Sequence, residues 1–367
     1  MDVNEQIELT RAYGDHFRAG HAFKTIVEAR AFAAMVLGVP VEPSTMLAKE
    51  VDEAIESGLV QAARQVVAQS EGDHRLAFDD LLSLYEAQPN LLVRTSDSMA
   101  RQAYSTPLPM AFVAGLIAQV HPSVTVYEPT AGNGSLLLLA DPAQAIANEL
   151  HPPRAAQLRT QGFTVTEHDA TQYRPDRPYD VLVSNPPFGL LRENGTGPPQ
   201  RWQHGPVSTQ KIDHAIALQA LQGLSPGGRA LLIIGGHMGN ASARQSAYRG
   251  QADRSFYSFL YQQSGWKVDD HFTLHGSMFR RQGAGFPIDF ISIAGQGSTD
   301  LRLPGAQAPR IYNRYDDLRE VVIHAARTYD TTYDSKYLEL SPPVELRPGS
   351  PRRPGSGVDA DPVASHD

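Results

Sequence analysis

Val124-Thr125-Val126-Tyr127-Glu128-Pro129-Thr130-Ala131-Gly132-Asn133-Gly134 is a short apolar strand pattern running into a glycine-rich turn and then a helix, and its reading decides the fold class. Glycine at 132 and 134 permits positive φ and lets backbone approach a ligand closely. A dinucleotide fingerprint would need a third glycine, which is absent, so the turn alone serves either structure or a ligand. Outward from it, Ala145–Ala147, Phe163–Val165, Val181–Val183, Ala230–Ile234 and Ile288–Ala294 are strand-like. Arg154–Gln161 and Ile212–Leu221 between them are helix-like, and Leu224–Arg229 reads as a turn that launches the next strand. Such alternation implies an α/β fold, a mostly parallel sheet with helices on both faces.

The first hundred residues have a different texture. Val51, Ile55, Leu59, Ala63 and Val67 recur at every fourth position, and Ile7–Phe17, Thr25–Val36 and Arg75–Glu86 are further helix candidates. This head carries eight Lys/Arg against sixteen Asp/Glu, whereas residues 191–282 carry ten basic and five acidic groups. An acidic head repels nucleic acid and a basic stretch attracts it. The head reads as a helical cap on the next domain or as a partner-docking surface.

At 367 residues the chain suits about two domains, and 41% hydrophobic residues supply a sizeable core. The absence of cysteine excludes disulfides, Cys-based zinc sites, iron–sulfur clusters and thiol catalysis. With no membrane-length apolar run and an acidic N-terminus, a cytoplasmic protein is expected, without membrane contact. Thirteen histidines are scattered without metal-ligand spacing, so no metal is expected.

Asn185-Pro186-Pro187-Phe188-Gly189 carries the chemistry, directly after the strand Tyr179–Ser184. Open sheets bind ligands at the carboxyl ends of their strands. An exocyclic amino nitrogen conjugated to a ring is a poor nucleophile. The Asn185 amide oxygen and the Pro186 carbonyl can accept its two hydrogens and draw it towards tetrahedral geometry. The prolines fix the turn, and Phe188 can stack on the base. Glu149, 21 residues after Glu128 at the end of the second strand, can accept bonds from two ribose hydroxyls or sit as a solvated acid. Asp169, past the third strand, is placed to accept from an adenine amino group.

These residues resemble the S-adenosylmethionine-dependent DNA N6-adenine methyltransferases, in particular the modification subunits of type I restriction systems and the methylase parts of plasmid or phage methylase–helicase proteins. The resemblance covers about residues 100–295. It implies a seven-stranded Rossmann-like sheet with S-adenosylmethionine as cofactor. Tyr104 and Thr106 match the motif upstream of the first strand. Glu128, Pro129, Ala131, Gly132 and Gly134 match the cofactor loop, and Glu149, Asp169 and Asn185 complete the cofactor contacts. Asn185, Pro186, Pro187 and Phe188 match the catalytic tetrapeptide, and Phe279 a second aromatic beside a flipped base. Arg192, Arg201 and Arg281 are the expected phosphate contacts.

The implied reaction is methyl transfer to adenine N6 in DNA. Cytosine N4, RNA bases and protein glutamine present similar planar amino groups, and a non-catalytic partner-docking module is a further alternative. The expected organisation is an acidic helical domain over 1–100, the methyltransferase domain over 101–298, a C-terminal extension over 299–340 and a disordered tail over 341–367. No separate DNA-recognition domain is apparent, so a specificity or helicase-type partner is expected to supply site recognition. On DNA the protein is expected at the nucleoid.

Overall fold

A computed structural model describes residues 1–90, 105–192, 197–282 and 285–340, with side chains to residue 329. Among the described residues of the head are four helices: α1 (Val3–Arg18), α2 (Ile26–Leu37), α3 (Met46–Gln69) and α4 (His74–Ala87). Each begins at a residue whose side chain accepts a backbone N–H of the first turn, Asp2, Thr25, Thr45 and Asp73 in order. Such caps satisfy donors that the helix itself cannot. α1 and α3 cross closely at Gly58, where a Cβ would lie 2.7 Å from Tyr13 Cβ and 2.8 Å from the Thr10 carbonyl oxygen.

Beyond α5 (Leu108–Ala118) comes the sheet: β1 (Val126–Glu128), β2 (Ala145–Asn148), α6 (Pro152–Thr160), β3 (Thr164–Thr166) and β4 (Tyr179–Ser184). A hairpin follows, β5 (Trp202–His204) and β6 (Val207–Thr209), then α7 (Ile212–Leu221) and β7 (Leu224–Gly235). The chain continues through α8 (Ala241–Tyr248), α9 (Gln251–Gln262), β8 (Trp266–Leu274), β9 (Ile288–Gln296), β10 (Arg310–Tyr312) and α10 (Arg319–Leu340). The strand order is β10-β8-β9-β7-β4-β1-β2-β3. Among the described strands of this sheet, only β9 runs antiparallel to its neighbours. This is a Rossmann-like, mostly parallel sheet. It has eight strands rather than the expected seven, because β10 adds to the edge beside β8.

Both faces are buried. Val181, Val183, Leu231 and Ile233 join the core shared with the head helices and α5. Leu182, Leu232 and Ile234 point to the opposite core, with Phe256 and Leu260 of α9. Alternation with apolar residues on both sides is what a covered parallel sheet requires. The stretch Leu224–Arg229 belongs to β7 rather than to a preceding turn. Leu224 pairs with Tyr179 and Arg229 with Val181, so Pro226-Gly227-Gly228 forms an irregularity inside the strand. The glycine-rich turn leads into a single 3₁₀ turn, Ser135–Leu137, not a full helix.

The stretch after 298 packs onto the core. Leu318, Val322, Ala325 and Tyr329 complete the core, and the Tyr329 ring meets His74 edge-on, centroids 5.0 Å apart. The tail from 341 and Tyr104 lie outside the described residues. Among those residues no helix is long and apolar enough to cross a membrane.

Candidate active site

From β1 the order runs to β2 and β3 on one side and to β4 and β7 on the other, so the β1 and β4 loops leave the same edge at the switch point. The β1 loop is pinned from below. Ala131 N–H donates to the Asn148 carbonyl at 2.9 Å, and Gly132 (φ 54°) and Gly134 (φ 83°) take conformations that disfavour a side chain. Asn148, at the end of β2, is buried and saturated. Its Nδ2 donates to the carbonyls of Pro129 (3.0 Å) and His168 (2.8 Å), and its Oδ1 accepts from Thr166 Oγ1 and His168 N–H. One side chain thereby ties together the loops that follow β1 and β3.

Glu149 stands beside this loop. Its Oε2 accepts the Gly132 N–H at 2.8 Å and its Oε1 the His151 N–H at 2.8 Å. Glu128 is buried, with Oε2 unpartnered. Burial first and the neighbouring Glu149 second push its carboxyl well above the ordinary carboxylate value. Asp169 is exposed and folds back, Oδ1 accepting from Thr171 N–H (2.9 Å) and Thr171 Oγ1 (2.7 Å).

The β4 loop adds the reacting edge. Asn185 Nδ2 donates to Thr106 Oγ1 at 2.7 Å, while Asn185 Oδ1 is buried without a partner. Pro186 is buried; Pro187 and Phe188 are partly exposed. The loop closes on Asp213 at the start of α7, whose carboxylate accepts the N–H groups of Gly189 (3.4 Å) and Gly235 (3.1 Å). The structure therefore brings Thr106, Glu128, Pro129, Ala131, Gly132, Gly134, Glu149, Asn185 and Phe188 to one edge.

Two of the expected contact residues are turned inward. Phe279 is 2% exposed and part of the core, because Tyr85 and Tyr315 hydroxyls both donate to the Met278 carbonyl and hold this turn inward. Arg281 donates to the Gln88 carbonyl at 2.9 Å, tying the same turn to the end of α4. Phe286, 55% exposed just before β9, is an exposed aromatic near this edge, with Leu150, Leu190 and Met238 exposed after β2, β4 and β7. Arg192 and Arg201 are exposed. Lys211 is not free: it pairs with buried Asp253 at 2.5 Å.

Sequence reasoning missed the buttress from the head. Ser57 Oγ donates to Asn133 Oδ1 at 2.8 Å. Glu56 Oε2 accepts from Ser105 Oγ at 2.7 Å and from Asn133 Nδ2 at 3.4 Å. Glu53 pairs with Arg154 at 2.6 Å. Acids that read as surface charge on α3 thus face the glycine loop and its neighbours.

No family model and no curated protein matches the chain. Solved structures do resemble it. A candidate class I S-adenosylmethionine-dependent methyltransferase from Listeria monocytogenes shares 11% identity over 89% of this chain and 98% of its own, with a TM-score of 0.42. The type IIG restriction endonuclease BpuSI shares 13% over 89% of this chain and 41% of its own, with a TM-score of 0.43. A chain of a type I restriction-modification system shares 14% over 86% of this chain and 68% of its own, with a TM-score of 0.40. The likeness is one of fold.

Proposed function

We propose that this chain is an S-adenosylmethionine-dependent methyltransferase that methylates N6 of adenine in DNA. The observation that carries the reading is the orientation of Asn185. With Nδ2 committed to Thr106 Oγ1, its unpartnered Oδ1 is left to accept a hydrogen from an exocyclic amino group. A buried acceptor without a partner is costly, so a ligand donor is the natural completion.

The cofactor fits the residues of the β1 edge. Two acids, Glu128 with an orphaned oxygen and Glu149, face a ligand that carries an ammonium and a sulfonium. Nothing lies within 4 Å of a Cβ position on Gly132, which leaves the loop backbone open. S-adenosylmethionine supplies an electrophilic methyl group; the chain supplies position. Glu149 holds the ribose hydroxyls, Asp169 is assigned to the adenine, and Thr106, with Tyr104 by the motif match, to the methionine part. Asn185 Oδ1 and the Pro186 carbonyl orient the amino nitrogen in line with the methyl carbon. Phe188 stacks on the base, and Phe286 takes the place first given to Phe279.

A base inside a duplex cannot reach this edge, so it must be extruded, at roughly a few kcal/mol. Arg192 and Arg201 are the candidate phosphate contacts. Such contacts are sequence-independent and weaken with salt, so site selection falls to a partner protein.

The test is transfer of labelled methyl from S-adenosylmethionine to duplex DNA, RNA and protein substrates, followed by identification of the methylated base. N6-methyladenine in DNA is the expected product. Label confined to RNA or protein would reject the substrate, and no cofactor binding at all would reject the enzyme. Tight, salt-resistant, sequence-specific modification by the chain alone would overturn the partner.

A further inference from the structure

A cavity of about 440 Å³ opens between α1, α3 and the end of α6, away from the edge that carries Asn185. Along α3, Glu53 pairs with Arg154 at the start of α6, and Arg64 donates to the Leu137 (2.6 Å) and Ala140 (3.1 Å) carbonyls. Arg64 thus stands between the cavity and the 3₁₀ turn that follows the glycine loop.

Its lining is unusual for so acidic a head. Arg11, Arg18 and Arg64 supply three guanidinium groups, and Gln61, Gln65 and Gln161 supply three amides. Ile7 is the one aliphatic side chain, and no carboxylate is among the lining residues. Only Arg18 has an acidic partner, Asp15 one turn back. Arg64 rests on carbonyl oxygens and on the Phe163 ring, 5.0 Å from its centroid, with no carboxylate bonded to it among the described residues. Arg11 makes no ion pair among those residues. Both amide atoms of Gln161 are buried and unpartnered.

The Arg11 guanidinium, without an ion pair among the described residues, and the unsatisfied Gln161 amide call for a ligand that presents acceptor oxygens. Guanidinium forks match phosphate oxygens bidentately. The volume equals roughly fifteen water volumes, more than one phosphate needs. We propose that this cavity is a second ligand site, one that binds linked phosphates, whether from a free nucleoside polyphosphate or from a nucleic-acid backbone.

The probe is sodium tripolyphosphate, titrated calorimetrically into the full chain. Binding that Arg11→Glu weakens by roughly tenfold or more is expected, a loss of about 1.4 kcal/mol. Arg11 is exposed and unpaired, so this variant should melt like the parent. Arg302→Glu, at an exposed site beyond β9, serves as the control for general charge and should bind as the parent does. Competition by a nucleoside triphosphate would assign the free ligand, and competition by a short single-stranded oligonucleotide the backbone; either supports the site. No binding at millimolar tripolyphosphate, or equal loss in the two variants, would overturn it.

Discussion

Asn185 presents two amide atoms with opposite fates: Nδ2 is held at 2.7 Å by Thr106, and Oδ1 is buried and free. Glu149 divides its two oxygens between Gly132 and His151 while remaining at the loop where a ribose would lie. The two residues should therefore separate chemistry from binding. Asn185→Ala removes an acceptor that matters most as positive charge develops on the attacking nitrogen. Methylation should fall roughly 10²–10³-fold, the cost typical of removing one positioned hydrogen-bonding group, with cofactor affinity nearly intact. Glu149→Ala should do the reverse at the binding step. Cofactor affinity should drop by about 1–3 kcal/mol, or roughly 5–150-fold in Kd, with the fold retained by circular dichroism. Calorimetry and a single-turnover methylation assay on both variants check the pair. Wild-type turnover in Asn185→Ala, or unchanged affinity in Glu149→Ala, would remove that residue from its role.

At the scale of elements, the head is part of the glycine-loop support. α3 reaches Asn133 through Ser57 and Glu56, and its fit against α1 depends on Gly58. A Cβ at 58 would meet the Thr10 carbonyl oxygen at 2.8 Å and the Gly14 nitrogen at 2.9 Å, backbone atoms that cannot swing aside. Gly58→Ala should destabilise the chain by about 1–3 kcal/mol through overpacking. Displacing α3 should also loosen Asn133, so cofactor binding should weaken with it. Urea denaturation and calorimetry test this, and an unchanged midpoint would mean that α1 and α3 are not held as close as they stand. Such contacts had no local signature. The strands around Glu128 and Asn185 were legible because apolar runs end in glycine or proline. β8 was not, since Lys267, Asp269, Asp270 and His271 interrupt it. His271 is buried there because Asp289, across the pairing with β9, lies 3.2 Å from its Nε2. Pro226-Gly227-Gly228 has the composition of a turn yet sits within β7, and Phe279 has the neighbours of a loop aromatic yet packs inward. In each case tertiary contacts outweighed local pattern.

Across the whole molecule, charge serves internal wiring more than display. Asp52 pairs with Arg30, Glu53 with Arg154 and Glu50 with the N-terminal ammonium, so part of the acidity of the head is spent inside the fold. Two buried groups then set opposite pH slopes. His214 is fully buried and stacked on Phe256 at 4.0 Å; burial first lowers its pKa from 6.5 to about 4. The unfolded chain takes up a proton that the folded one refuses, so this stability is complete above pH 6.5 and is lost as pH falls towards 4. His214→Phe, which keeps a stacking ring, should flatten the acid limb. Glu128 acts the other way. Its folded pKa lies well above 4.5, so the folded chain keeps a proton that the unfolded chain releases. The contribution is complete below pH 4.5 and declines as pH rises from there towards the folded value. Glu128→Gln should therefore show a flatter stability profile than the parent on raising pH from 4.5 towards neutrality, measured by urea midpoints. If Glu128 faces a cationic cofactor as proposed, the same variant should bind S-adenosylmethionine more weakly, and the parent's affinity should rise with pH as Glu128 ionises. A parallel stability profile in parent and variant would mean that Glu128 ionises freely in the folded chain. A flatter profile with unchanged affinity would keep the buried acid but remove it from the cofactor site.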